Sequence, residues 1–196
     1  MSEFTGPAPV QALGGAAFDG YVRIAEEPIR AMFTLRGDLT ARALTAAATE
    51  VAGVAMPGQA QIGVAGERAI AWMSPDELLL MTPWAEHAAA LAKMQAALSG
   101  AFLNVTDVSQ ARALFSVTGA DALVREVVAK LMPVDLAPGA FPPGNLRRSR
   151  LGQVSAAVWC VAPGRLEIVC FRSVADYAFN LLKDAARPGA EVGLFA

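Results

Sequence analysis

The sequence predicts an α+β protein made of two similar βαββα halves, with helices packed on mainly antiparallel sheets. Three observations carry this. The stretch 106–136 reads as a strand, a glycine turn and a helix. The opening of that unit occurs twice: AMFTLRG (31–37) lies over ALFSVTG (113–119), sharing Ala, Phe and Gly, with Met/Leu, Thr/Ser and Leu/Val similar. Each half then carries a hairpin with a proline turn, SPDE (74–77) in the first and APGR (162–165) in the second.

Taken in order, residues 1–18 are rich in Gly, Pro and Ala and read as a flexible arm. Residues 19–100 form the first half and 101–196 the second, and the two can pack as a single domain. An extended segment from Tyr21 leads into a strand, Arg30 to Leu35, ended by Gly37. An alanine-rich helix follows from Leu39 to Val51, with Asp38 as its N-cap. Pro57, Gly58, Gly63 and Gly66 mark 56–66 as a loop. Strands Ala69–Met73 and Leu78–Met81 flank the SPDE turn, and a helix runs from Trp84 to Leu98. In the second half a strand at 113–117 precedes a helix over 121–131. Its Leu123, Val127, Val128 and Leu131 form one apolar stripe, and Pro133 stops it. After a Pro/Gly loop (133–145) come strands 154–161 and 166–171. The last helix spans 174–186, capped by Ser173.

Hydrophobic residues make up 55% of the 196 and charged residues 17%, against roughly 25% charged in an average soluble domain. The excess comes either from alanine or from apolar surface buried against another protein. A net charge of −2 and a pI near 5.4 give no sign of a nucleic-acid surface. No run reaches the ~18 apolar residues of a membrane span. The best stretch, Leu78 to Ala92, is broken by Glu86 and His87. The N-terminus lacks a basic region followed by an apolar run, so a cytoplasmic chain is expected. Cys160 and Cys170 are expected as buried free thiols, with Cys160 opposite Glu167 in the hairpin.

The chemical inventory is thin. The lone histidine, His87, sits in a helix among alanines and reads as a boundary residue without an orienting partner. Hydrolase, zinc-protease and phosphate-loop signatures are missing, and one His with two Cys is too few for a closed zinc site. Asp76 and Glu77 read as solvated turn carboxylates. Asp107 reads as an Asx-turn residue paired with Arg112, and the run Arg147, Arg148, Ser149, Arg150 as a solvated basic loop. Arg172 precedes the last helix and is a further candidate for a partner contact. None of these makes a catalyst.

Four stretches resemble, in order and spacing, the gamma subunit of heterotetrameric sarcosine oxidase: AWMSPDELLLMTP (71–83), VTDVSQARALFSVTGADA (105–122), LMPVDLAPGAFPPG (131–144) and FRSVADY (171–177). The resemblance covers nearly the whole chain after the arm. It implies a fold related to folate-binding aminomethyltransferase domains such as the glycine-cleavage T-protein. It also implies a complex with alpha, beta and delta subunits that oxidises sarcosine to glycine. FAD, FMN, NAD and tetrahydrofolate are then expected on those partners, and no catalytic, cofactor-binding or metal residue in this chain.

Trp72, Trp84, Phe141, Arg147, Arg148 and Arg150 are the expected partner-interface residues, because aromatics and arginine concentrate at interfaces. The isolated chain is then open to self-association. Two rival readings stand beside this one. A stand-alone folate-dependent one-carbon enzyme would need a buried carboxylate beside a pterin-sized pocket, and Asp107 is its candidate. A small-molecule-binding regulatory module would keep a pocket without partners.

Overall fold

The computed structural model describes residues 8–195. Their strands are β1 (Ala17–Asp19), β2 (Arg23–Glu26), β3 (Arg30–Arg36), β4 (Ile62–Ala65), β5 (Arg68–Ser74), β6 (Glu77–Pro83), β7 (Asn104–Asp107), β8 (Arg112–Thr118), β9 (Leu146–Leu151), β10 (Val154–Ala162) and β11 (Arg165–Phe171). The helices are α1 (Arg42–Ala52), α2 (His87–Ala97), α3 (Asp121–Ala129) and α4 (Ala175–Ala185). Pairing is antiparallel throughout, in two sheets with orders β1-β2-β8-β11-β10-β9 and β4-β5-β6-β3-β7. The α+β class with antiparallel sheets holds.

Period-two alternation sorts the strand side chains into two faces. Phe33, Leu35, Ile70 and Leu80 pack with Leu44, Ala48 and Met94 of α1 and α2. Phe115, Val117, Val158 and Ile168 pack with Val124, Val127 and Leu182 of α3 and α4. The alternate residues, Met32, Leu79 and Met81 of one sheet and Leu114, Trp159 and Val169 of the other, share a third cluster between the sheets. The result is four layers, helix, sheet, sheet, helix, with the two sheets back to back.

The halves exchange their leading strands. β2 precedes β3 in the chain but pairs with β8, while β7 precedes β8 but pairs with β3. Repeated backbone features mark the internal symmetry. Gly37 (φ 143°) and Gly119 (φ 152°) end β3 and β8 in a conformation that L side chains rarely adopt. The Gly37 N–H donates to the Asp76 carbonyl at 3.0 Å, and that of Gly119 to the Gly164 carbonyl at 3.1 Å. A bulge falls between Trp72 and Ser74 in one hairpin and between Cys160 and Ala162 in the other. The edges of the two sheets meet at a Gln61–Asn145 bridge, where Ile62 N–H donates to Gly144 and Leu146 N–H to Ala60, both at 2.9 Å.

Several local expectations need correction. The 56–66 loop contains β4, and the basic run at 147–150 lies in β9 rather than in a solvated loop. The β9 sequence, LRRSRL, lacks the apolar alternation of a half-buried strand, so nothing local marks it as one. Helix α1 starts at Arg42 after Ala41, because Asp38 spends its carboxylate on the N–H and hydroxyl of Thr40. A 3₁₀ turn, Arg172–Val174, precedes α4, and Ser173 caps nothing. The bulge shifts the hairpin register, so Trp159 faces Glu167 and Cys160 faces Leu166. Both cysteines are free and buried. The described part of the arm is bonded: Glu26 accepts from the Leu13 and Gly15 N–H groups, and β1 pairs with β2.

Candidate functional site

At one end of the sandwich the inter-sheet layer runs out of apolar partners, and charged residues of the same strand parity take over. Glu77, at the start of β6, is 8% exposed rather than solvated. It accepts from Arg36 at 2.8 Å and forms an ion pair with Arg148 at 3.6 Å. Arg148 also donates to the Met73 carbonyl at 3.0 Å, which ties β9 to the first half. Asp76, in the turn, stays exposed and accepts from the Ser74 hydroxyl, which holds its carboxyl below the usual range.

In β8, Arg112 lies directly opposite Phe171 of β11, and its guanidinium sits 4.1 Å from the centre of the Phe171 ring. Phe171 is 49% exposed. Burial pushes the Arg112 guanidinium down in pKa, against the opposing field of Glu77. A shallow hollow of about 60 Å³ joins Met73, Arg148 and Arg112 to Phe171. A wider one of about 520 Å³ also borders Phe171, bounded by Ala12, Ala111 and Arg172. The sequence reading missed this pair, since neither residue stands out until the register of β8 against β11 is known.

The residues expected at a partner interface do not converge. Trp72 and Trp84 are half-buried against the core of the first half, with Trp84 stacked on His87 at 4.5 Å. Phe141 is fully buried and cannot meet a partner; its carbonyl and that of Leu136 accept from the buried Arg125, which shapes the Pro/Gly loop. Arg147 turns inward to the carbonyls of Leu146 and Ala60, while Arg150 stays exposed and donates to Gln153. Arg172 holds the arm through the carbonyls of Val10 and Gln11.

Asp107 is an Asx-turn residue, as expected, but its partner is His87 and not Arg112. Its Oδ1 accepts from the Ser109 N–H at 3.0 Å and hydroxyl at 2.6 Å, and its Oδ2 lies 2.6 Å from His87 Nε2. Partial burial pushes the Asp107 carboxyl up, and the Ser109 and His87 hydrogen bonds together outweigh it, so the net shift is downward. Although Ser, His and Asp meet here, Asp107 lies between the other two, so the histidine does not activate the serine. Ser109 instead bonds the backbone of Met32. Hollows of about 420 and 520 Å³ lie elsewhere on the described surface. A gap of about 10 Å³ beneath the arm is far below the ~300 Å³ of a ligand pocket. These surroundings do not fit a pterin on Asp107.

Among the described residues no helix is long and apolar enough to cross a membrane, and no group of three or more His, Cys, Asp or Glu is placed to hold a metal.

Comparison with known proteins now bears on this arrangement. The chain is 30% identical over 143 residues to a sarcosine oxidase subunit gamma from Corynebacterium sp. (strain P-1), covering 71% of this chain and 68% of that one. It superposes with a TM-score of 0.75 and 26% identity on a chain of the heterotetrameric sarcosine oxidase from Corynebacterium sp. U-96, solved with pyrrole 2-carboxylate, covering 84% and 83% of the two chains. A glycine cleavage system aminomethyltransferase T from Bartonella henselae shares the fold at TM-score 0.61 and 13% identity, over 83% of this chain and 45% of that one. Residues 36–188 match the model of the sarcosine oxidase gamma subunit family, and the chain belongs to that family.

Proposed function

We propose that this chain is the gamma subunit of a heterotetrameric sarcosine oxidase and serves its assembly and stability, with no catalytic centre of its own. Sarcosine would be demethylated to glycine on the larger subunits, which would hold FAD, FMN and NAD and pass the one-carbon unit to tetrahydrofolate. Its partners would be the alpha, beta and delta subunits, in the cytoplasm. The observation that carries this reading is the near end-to-end likeness to one chain of a heterotetrameric sarcosine oxidase. The geometry at Asp107, where both carboxylate oxygens are engaged in structural bonds, fits a scaffold better than a folate enzyme.

The test is purification of the tagged chain from its native cells, with flavin absorbance and sarcosine oxidation measured on the eluate. Co-elution of larger flavoproteins with activity is expected. A flavin-free eluate containing this chain alone overturns the reading.

A further inference from the structure

Resting on the subunit reading above, we propose that the Arg112–Phe171 pair is a docking contact for an acidic segment of a partner subunit, with a carboxylate set beside an apolar side chain. Arg112 is half-buried and has five N–H donors, yet it makes no hydrogen bond or ion pair to any described residue. Every other described arginine withdrawn from solvent has an acceptor; Arg30, Arg125 and Arg165 each have several. Partial burial of a cation whose N–H donors have no acceptor is unfavourable, and an incoming carboxylate removes that penalty.

Phe171 supplies the apolar half of the contact, an exposed ring whose face is already fixed by the guanidinium above it. Two hollows border Phe171 and leave room beside it for a segment of chain. The surrounding charge selects the partner. Arg36, Arg112 and Arg148 stand against two carboxylates, the buried Glu77 and the exposed Asp76, so the local field keeps one net positive charge and draws an acidic segment. A second copy of this chain docking about a two-fold axis would set these arginines against one another. A free anion would leave Phe171 unused.

The experiment co-expresses the full-length chain with its partner subunits and measures the dissociation constant of the purified complex at low and high salt. Arg112→Glu and Phe171→Ala are each expected to weaken association by about tenfold or more, and wild-type binding to weaken with salt. Arg42→Glu makes the same charge change on the exposed side of α1 and is expected to bind as wild type. Melting temperatures of the isolated variants check folding; should Arg112→Glu not fold, Phe171→Ala carries the test alone. Wild-type association with both variants inside twofold of it overturns the docking contact and leaves the subunit reading intact. No association by the wild-type chain overturns the subunit reading itself. Stabilisation of the isolated chain by inorganic phosphate, lost in Arg112→Glu while partner binding persists, assigns the site to a free anion and also overturns the proposal.

Discussion

Arg30 and Glu167, 137 residues apart in the chain, meet 3.2 Å apart between the two sheets, with side chains only 6% and 3% exposed. Glu167 also accepts from Trp159 Nε1 at 3.1 Å and from Arg165 at 2.7 Å, and Arg165 reaches Glu27 at 3.0 Å. Two arginines and two glutamates therefore form a neutral set that links β3 to β11 across the sandwich. Glu167→Ala leaves Arg30 and the indole N–H without their acceptor and is expected to cost about 3–5 kcal/mol. Arg30→Met introduced into a Glu167→Leu background is expected to cost clearly less than Arg30→Met alone, since the charge it removes has already lost its partner. Urea unfolding of the four proteins measures the coupling. Additive losses would remove the pair from the account of inter-sheet stability.

Ala60 and Gly144 occupy the same place in the two halves, and both have positive φ, 57° and 85°. Only one of them is glycine. Ala60→Gly relieves left-handed strain at some cost in chain entropy and is expected to be neutral to stabilising by up to about 1 kcal/mol. Gly144→Ala adds the strain and is expected to lose about 1–2 kcal/mol; its new Cβ would lie 3.7 Å from the Ile62 carbonyl oxygen, so no clash contributes. Denaturant midpoints of the two variants should move in opposite directions or, for Ala60→Gly, stay in place.

Glu126 is 1% exposed. Burial pushes its carboxyl up, but the N–H groups of Val192 and Leu194 and the Lys130 ammonium outweigh this and bring it from 4.5 down to about 2. A carboxylate with a depressed folded-state pKa contributes stability that is complete above its unfolded value and disappears as pH falls through the folded one. The C-terminal clasp should therefore weaken between about pH 4.5 and pH 2. Hydrogen-exchange protection at 190–195, taken relative to the intrinsic exchange at each pH, should fall across that window, and Glu126→Gln should show lowered protection already at neutral pH. Unchanged protection down to pH 2 would falsify this account of the clasp.

Asp107→Asn keeps the shape of the side chain but loses the charge that His87 and Ser109 both address. Thermal stability is expected to fall by about 1–2 kcal/mol, while sarcosine oxidation per flavin in the assembled complex stays at the wild-type level. Loss of turnover in a complex that remains assembled would return Asp107 to the chemistry.

The sequence by itself determined the six long strands, the four helices, the repeat and the absence of familiar catalytic motifs, because each rests on local periodicity or composition. Short continuous apolar runs such as AMFTLRG mark a strand buried on both faces wherever it lies. The short pieces were not legible: β4 is interrupted by glycine, β9 carries arginines, and β1 is three residues long. Only the tertiary structure decided that β2 and β7 cross to the opposite half, that Phe141 and Glu77 turn inward, and that Arg112 faces Phe171. Periodicity specifies which side of a strand is apolar but not which distant strand completes its hydrogen bonds. That choice comes from non-local pairing and from the packing of two sheets back to back.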